Sequence, residues 1–270
     1  MKNLGVLDPA EAPPESAAIE TDGYTVLRGV FSTDEVAILR AEIEASFAER
    51  SSERNRTDRD EFRYQMLNYS AACQRALAHP RVLAVIEPLL GDDCHVVANT
   101  LWRNPAVGFR GQRWHTDAGP HVPRPEGVPW DDRIPYPVFA IGGHFYLQDC
   151  REEDGPTAII PGSHRSGRLA PAARMMDPDL DYDGRPPFHV IAKAGDVALF
   201  SSDCWHRGSP GGPGAQGRFF LQVHYGRRDI AQRLVPTSEV NQLTPEAVRR
   251  AQTDREKAVV GLHAPFFYDG

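Results

Sequence analysis

Between residues 94 and 228, short β-rich runs alternate with turns and loops, and this alternation most constrains how the chain can fold. Each run is rich in the β-branched and aromatic residues that strands prefer. The whole chain contains 23 glycines and 23 prolines, the residues that most often end strands and form turns. The runs are HVVANTLWR, FAIGGHFYLQD, TAIIPG, FHVIAKAGDVALF and RFFLQVHYG.

These runs predict at least six antiparallel strands, for which a double-sheet jelly roll is the natural closure. We therefore predict a mainly β fold with additional helices: a double-stranded β-helix (jelly roll, cupin-like) core flanked by N-terminal helices. Two long, proline-rich loops, 118–137 and 170–188, interrupt the runs. Long loops inside a domain are often functional, so we predict that these two cover a site.

The region before residue 94 is predicted to be mainly helical. Ser32 and Glu35 form the S-x-x-E pattern of a capping box, which opens an amphipathic helix. The preceding GYTVLRGVF alternates apolar and polar residues like a short strand, and HPRVLAVIEPLLG ends in the glycine typical of a helix C-terminus. The apolar positions of the first helix, which we expect to pack on a sheet, are Val36, Leu39, Ile43 and Phe47.

A single domain is predicted, because no linker separates the helical part from the β-rich part. Near the C-terminus, TPEAVRRAQTDREKAVV is predicted to form one further helix. The predicted limits are a flexible tail over residues 1–18 and one domain over 19–270, made of a helical part at about 19–93, a jelly-roll core at about 94–228 and a C-terminal helical extension at about 229–270.

The net charge, the hydropathy and the cysteine pattern indicate which binding partners and which cellular compartment to expect. The formal net charge is −7 and there is no basic block, which argues against nucleic acid. No apolar run is long enough to cross a bilayer, which argues against a membrane. The four cysteines are scattered without a CxxC pair, as in reduced intracellular proteins. We predict a cytoplasmic protein that binds a small molecule, and leave open whether it is a monomer or a homodimer.

The stretch QRWHTDAG contains a possible metal-binding pair. His115 and Asp117 occupy alternate positions of an extended segment, so their side chains point to the same side. This HxD pattern alone is weak, because a chain with ten histidines is expected to match it by chance. His206, at the end of a later strand-like run, completes a facial triad of two histidines and one carboxylate, which leaves open positions on iron. Arg218, at the start of the next run, is suited to bind a carboxylate through two hydrogen bonds.

The order of these motifs resembles that found in the Fe(II)/2-oxoglutarate-dependent dioxygenases. The residues within each motif resemble those of one branch, the phytanoyl-CoA dioxygenase family. The resemblance extends from about residue 20 to about residue 228, and its motifs occur in the order typical of the family. The segments that carry it are DGYTVLRGVFSTDEVAILR, WHTD (114–117), DGPTAIIPGSHR (154–165), and AGDVALF followed by WHRGSP.

The resemblance implies Fe(II) as the metal, 2-oxoglutarate as co-substrate, and O2. It implies that His115, Asp117 and His206 are the catalytic iron ligands, that Arg218 binds the distal carboxylate of 2-oxoglutarate, and that Thr157 is a further contact to it. Many relatives carry a hydroxyl two residues after the distal histidine, where this chain has glycine, so one co-substrate contact is left unassigned. In the halogenases of this superfamily a small residue replaces the carboxylate. The carboxylate of Asp117 therefore favours hydroxylation, or a related desaturation or ring closure, over halogenation.

The implied function is oxidation of a C–H bond in a small organic molecule, coupled to decarboxylation of 2-oxoglutarate to succinate and CO2, in a secondary-metabolite or catabolic pathway. Two alternatives stay open. One is a cupin-like metal enzyme that works without 2-oxoglutarate, and Arg218 argues against it. The other is a non-catalytic relative that only binds, and the complete triad argues against that.

Several other residues have a structural interpretation beside a functional one. Trp114 and Trp205 each precede a predicted iron ligand, and strand alternation turns them away from it, so a core role is favoured. His144, His189 and His224 lie on strand-like runs, where most histidines are core residues, although His144 and His224 are placed to face the barrel interior. The candidate substrate contacts are Arg103, Arg124, Trp130, Asp131, Asp132, Tyr136, Phe145, Gln148, Met175 and Met176.

Overall fold

Two antiparallel β-sheets, with helices against the larger one, form the fold in a computed structural model that describes residues 13–49, 61–104, 108–117, 119–232, 234 and 243–262. The strands are β1 (Tyr24–Leu27), β2 (Glu61–Tyr64), β3 (His95–Arg103), β4 (Ala140–Tyr146), β5 (Thr157–Ile159), β6 (Phe188–His189), β7 (Val197–Ser201), β8 (His206–Gly208) and β9 (Phe219–Gly226). The helices are α1 (Pro14–Asp22), α2 (Thr33–Glu49), α3 (Met66–Tyr69), α4 (Ala71–Leu77), α5 (Pro80–Leu90), α6 (Pro245–Arg250) and α7 (Asp254–Val259).

The large sheet has the strand order β1-β7-β4-β9-β3-β2, and the small sheet has the order β6-β5-β8. Every strand pairing is antiparallel, and seven of the nine strands lie between residues 94 and 228. The predicted β-rich class with a jelly-roll core is therefore confirmed. Among the described residues, no helix combines the length and the apolar character needed to cross a membrane.

Strand alternation gives the large sheet two different faces. One face packs against the helices in the main hydrophobic core, to which β4 contributes Phe145 and β9 contributes Leu221 and Val223. The other face points toward the small sheet and carries the intervening residues of the same strands, including His144. Phe145 was predicted as a possible substrate contact, and this is wrong, because its ring packs against Phe31 in the core on the helical side.

Helix α2 begins as the sequence predicts. The backbone N–H of Ser32 donates to Glu35 Oε2 at 2.7 Å, and the backbone N–H of Glu35 donates to Ser32 Oγ at 3.3 Å, which is the reciprocal pair of a capping box. Val36, Leu39 and Ile43 of this helix are buried in the main core together with residues of the large sheet, which confirms the predicted packing.

Two predictions at the ends of the chain are wrong. The predicted tail over residues 1–18 includes α1, which starts at Pro14, a residue suited to a first helical turn, and buries Ile19 against α5 and the sheet. Residues 1–12 lie outside the described residues. The single C-terminal helix is instead two, α6 and α7, because Thr253 and Glu256 form a second capping box that starts a new helix. The division of residues 19–270 into parts of one domain stays a prediction.

Replacing Ile43 by alanine tests the packing of α2 on the sheet. Ile43 is fully buried, whereas Ile38 on the same helix is 52% exposed. We expect Ile43→Ala to lower the free energy of unfolding by about 2–5 kcal/mol, because it leaves a cavity in the core. The matched Ile38→Ala should change it by less than about 0.5 kcal/mol. Urea titration followed by circular dichroism measures both, and equal losses would contradict this packing.

Candidate active site

A pair of backbone hydrogen bonds joins the two histidines that the sequence predicts as ligands. The N–H of His115 donates to the carbonyl of His206 at 3.0 Å, and the N–H of His206 donates to the carbonyl of His115 at 2.9 Å. On either side, Gln112 pairs with Gly208 and the N–H of Asp117 donates to the carbonyl of Ser202. Residues 112–117 therefore run antiparallel to 202–208. This pairing brings His115 and His206 together although they are 91 residues apart in the sequence.

This pairing brings His115, Asp117 and His206 together, with one ligand atom of each within 4.8 Å of the others. His115 Nε2 lies 3.8 Å from Asp117 Oδ1, and His206 Nε2 lies 3.4 Å from Asp117 Oδ2. Two imidazole nitrogens and a carboxylate that converge in this way are the donor set of a facial triad on Fe(II). No other such group of three or more metal-binding side chains occurs in the part of the chain that the structure describes.

The backbone fixes which nitrogen of each imidazole is available. His115 Nδ1 lies 2.8 Å from the carbonyl of Arg113, and His206 Nδ1 lies 3.0 Å from the carbonyl of Cys204. A carbonyl only accepts hydrogen bonds, so both Nδ1 atoms carry a proton, and Nε2 is the nitrogen of each ring that is left to bind a metal. Outer hydrogen bonds of this kind orient histidine ligands in metal sites.

The electrostatics of the site favour a bound cation. Burial raises the pKa of Asp117, but the charges of His206, His224 and His115 outweigh it and hold that pKa well below its usual range. Burial, reinforced by the charge of His206, lowers the pKa of His115 to about 4. At neutral pH Asp117 is therefore an ionised carboxylate with a neutral imidazole beside it, as metal binding requires.

Arg218 lies deep between the two sheets, 2% exposed. Its Nε donates to Asn104 Oδ1 at 3.0 Å and its Nη1 donates to Thr157 Oγ1 at 3.1 Å. Gly208 is paired with Thr157 across β5 and β8, and a Cβ atom at Gly208 would lie 2.4 Å from Arg218 Nη2. The guanidinium thus occupies the space that a side chain at position 208 would need. A side chain at this position would therefore require the guanidinium to shift.

Two histidines that sequence reasoning left mainly to the core also lie at this site. His144 on β4 stacks on Phe220 at 4.2 Å, and its Nδ1 is 3.2 Å from Thr157 Oγ1. His224 on β9 has its Nδ1 3.8 Å from Asp117 Oδ2. Arg218, Phe220 and His224 occupy alternate positions, so they face the same side of β9, and this alternation was the signal available in the sequence.

The first long loop is attached beside the triad by one buried carboxylate. Asp203, 3% exposed, is 2.6 Å from His121 Nδ1 and accepts the hydroxyl of Tyr136 at 2.9 Å. His121 and Tyr136 lie near the two ends of the loop 118–137, and Asp203 is adjacent to Ser202, whose carbonyl binds the N–H of Asp117. The loop is therefore tied to the segment that leads to the second histidine ligand.

Most of the candidate substrate contacts are engaged elsewhere. Gln148 donates to the carbonyl of Gly217, Trp130 donates to the carbonyl of Ile134, and Tyr136 is bound to Asp203. The remaining candidates lie in surface ion pairs, against aromatic rings or on the loop surfaces: Arg103, Arg124, Asp131, Asp132, Met175 and Met176. Trp114 and Trp205 pack together on the outer side of the small sheet, which confirms their predicted core role.

Comparison with known proteins identifies the family. The model of the family described as Phytanoyl-CoA dioxygenase (PhyH) matches residues 19–212, which is more than half of the chain. The chain belongs to the phytanoyl-CoA dioxygenase family. The matched region contains the two histidines and Asp117, and it ends before Arg218.

Individual relatives agree with this assignment. The ectoine dioxygenase of Sphingopyxis alaskensis is 30% identical over 162 residues, which are 56% of this chain and 49% of the relative. The chain thus spans about half the length of the curated relatives it matches. In fold it is similar to the epimerase SnoN in complex with Fe3+, alpha ketoglutarate and nogalamycin RO, with a TM-score of 0.66, 20% identity, and 88% and 94% of the two chains covered. It is similar as well to apo EctD from S. alaskensis, with a TM-score of 0.65, 24% identity, and 97% and 92% covered.

The contact between Gly208 and Arg218 predicts an energetic coupling between these positions. We expect Gly208→Ala to lower the free energy of unfolding by about 1–3 kcal/mol through overpacking. The same substitution should cost at least about 0.5 kcal/mol less in an Arg218→Ala background. Urea unfolding of the wild type, the two single variants and the double variant gives the coupling free energy between positions 208 and 218.

Gly211→Ala is the matched control, because a Cβ there meets nothing closer than 3.4 Å. It should leave stability nearly unchanged. An additive cycle, or equal costs at positions 208 and 211, would contradict the close approach.

Proposed function

We propose that the chain is a non-haem Fe(II)/2-oxoglutarate-dependent dioxygenase that hydroxylates, or otherwise oxidises at a C–H bond, a small organic molecule. The observation that carries the proposal is the convergence of His115, Asp117 and His206 in the same interior as the buried guanidinium of Arg218. Membership of the phytanoyl-CoA dioxygenase family supports it. A cytoplasmic location belongs to the proposal, supported by four free, buried cysteines.

The residues present fit the metal and the co-substrate. The Nε2 atoms of His115 and His206 and the ionised carboxylate of Asp117 would hold Fe(II), and Arg218 with Thr157 would hold 2-oxoglutarate. When bound, these two groups activate O2 for oxidation of a substrate C–H bond while 2-oxoglutarate is decarboxylated to succinate and CO2.

The contribution of the protein is position, charge and exclusion of water. Carbonyls of Arg113 and Cys204 keep both ligand imidazoles in one orientation, so the ligand set is assembled before the metal arrives. Burial of Arg218 strengthens its attraction for a carboxylate, because little water competes for the guanidinium. Phe220, beside Arg218 and under His144, makes that part of the interior apolar.

The substrate is proposed only as a small organic molecule. The relatives and structural neighbours are associated with ectoine, nogalamycin RO and hygromycin B, which differ widely in size and charge. Desaturation or ring closure is the alternative outcome on the same iron chemistry. A cupin-like enzyme without 2-oxoglutarate has no use for the buried Arg218, which favours the dioxygenase.

Removal of one ligand tests the metal site. Under anaerobic conditions, Fe(II) and 2-oxoglutarate should give the wild-type protein a metal-to-ligand charge-transfer band in the visible spectrum. His115→Ala should lose this band, because one of the three ligands is gone. His189→Ala, at an exposed position on β6, should keep it. Absence of the band in the wild type, together with no succinate formed under air, would refute the proposed function.

Arg218→Ala tests the co-substrate site. We expect the dissociation constant for 2-oxoglutarate, titrated on the charge-transfer band, to rise at least about tenfold, because the distal carboxylate loses its charged partner. Fe(II) binding should be largely retained. Arg207→Ala is the control, since Arg207 is also buried but lies over Trp114 on the opposite side of β8. A parallel loss of iron binding in Arg218→Ala would show that the role assigned to Arg218 is wrong.

A further inference from the structure

Arg124, in the first long loop, is a cation whose hydrogen-bonding atoms are covered but unpaired. Part of the residue reaches the surface, yet its Nε, Nη1 and Nη2 atoms are all buried, and none of them has a hydrogen-bond partner among the described residues. A covered donor without an acceptor costs free energy, and a covered charge without a partner costs more. Arg124 thus presents five N–H donors that the described protein does not use.

The guanidinium of Arg124 is held between the two long loops. The backbone N–H of Arg124 donates to the carbonyl of Gly167 at 3.1 Å, and its Cζ lies 5.3 Å from the centre of the Trp130 ring in the same loop. Tyr182 belongs to the second loop. Burial raises the pKa of Tyr182, and the strongest charge that acts on this phenol is that of Arg124, which lowers the pKa. We call the region of Arg124, Trp130 and Tyr182 the loop junction.

The carboxylates of this region are bound to other groups. Asp203 accepts the hydroxyl of Tyr136 and lies 2.6 Å from His121 Nδ1. All three acidic residues of the first loop pair with other arginines: Glu126 with Arg168 at 3.1 Å, Asp131 with Arg133 at 2.6 Å, and Asp132 with Arg165 at 3.0 Å. Within the described ranges, Arg124 therefore has no carboxylate as an ion-pair partner.

The loop junction is separate from the proposed iron site. Tyr182 packs edge-to-face on Trp205, with ring centres 5.6 Å apart, in the cluster on the outer side of the small sheet. His206 follows Trp205 directly and points inward to the metal-binding triad, because successive residues of an extended segment face opposite sides. An anion bound at the loop junction would therefore be a different molecule from the co-substrate that Arg218 binds.

We propose that the loop junction is a binding site for an oxyanion, a carboxylate or phosphate group of a small molecule, and that Arg124 is its main ligand. The planar guanidinium matches both groups, because each accepts two parallel N–H···O hydrogen bonds. Trp130 holds the guanidinium through a cation–π contact, which takes up none of its donors. The bound anion would lie against residues of both loops and hold the loops together over the small sheet.

Thermal unfolding of the metal-free protein tests the site, with inorganic phosphate as the probe and sodium chloride to keep the ionic strength constant. Phosphate at about ten times its dissociation constant should raise the Tm of the wild type by about 3–5 °C, because it binds only the native state. Acetate, in a second arm, shows whether a carboxylate is bound instead of, or as well as, phosphate. Arg124→Met should lose the shift. Arg133→Met, at an exposed position of the same loop, is the matched control and should keep it.

The same variant distinguishes an anion site from a structural arginine. Arg124→Met keeps an apolar stem under Trp130 and removes the unpaired charge. In buffer without oxyanions we therefore expect its Tm to lie above that of the wild type. Phosphate should reduce this difference by the amount of the shift that the wild type gains. A structural arginine would instead give a lower Tm in the variant under both conditions.

Two outcomes would overturn the proposal. Equal Tm shifts in the wild type, Arg124→Met and Arg133→Met would show a general effect of the salts on the protein surface. A wild type that shifts with neither phosphate nor acetate, together with a lower Tm for Arg124→Met, would make Arg124 a structural residue of the loop. Since the protein is free of metal and 2-oxoglutarate throughout, both outcomes leave the proposed dioxygenase activity untouched.

Discussion

The rest of the site depends on the mutual backbone hydrogen bonds between His115 and His206. Two peptide groups that exchange hydrogen bonds fix the register of their strands, and in a strand the register decides which side every side chain faces. One such pair therefore aims both imidazoles and, two residues further, Asp117 at a common point. A shift of one residue would place Trp114 or Trp205 where a ligand now lies.

The two faces of the large sheet allow a stable protein to contain a polar interior. Its helical face carries the main hydrophobic core, and its inner face carries the polar residues, so neighbouring residues of β4 such as His144 and Phe145 have opposite roles. Burial of polar groups on the inner face is tolerable because they bind one another, as Arg218 does with Asn104 and Thr157.

Sequence reasoning succeeded where a local cause decides the outcome. The capping box at Ser32 and the same-side placement of His115 and Asp117 each depend on a few neighbouring residues, so both can be predicted from the sequence. Two further local signals were present in the sequence but were missed. The proline at position 14 marks the start of α1, and the capping box at Thr253 marks the start of α7. What the sequence does not contain is the approach of Gly208 to Arg218, because that contact exists only after β8 and β9 are placed.

The same contact concerns the position two residues after His206, where this chain has glycine. A Cβ atom at Gly208 would lie 2.4 Å from Arg218 Nη2, so a side chain at this position requires the guanidinium to shift. Polar groups from outside β8 bind the guanidinium, among them Asn104 and Thr157. Thr157 on β5 is paired directly opposite Gly208, and His144 on β4 extends the chain of hydrogen bonds by one ring. A glycine opposite Thr157 thus leaves the room in which the guanidinium of Arg218 lies.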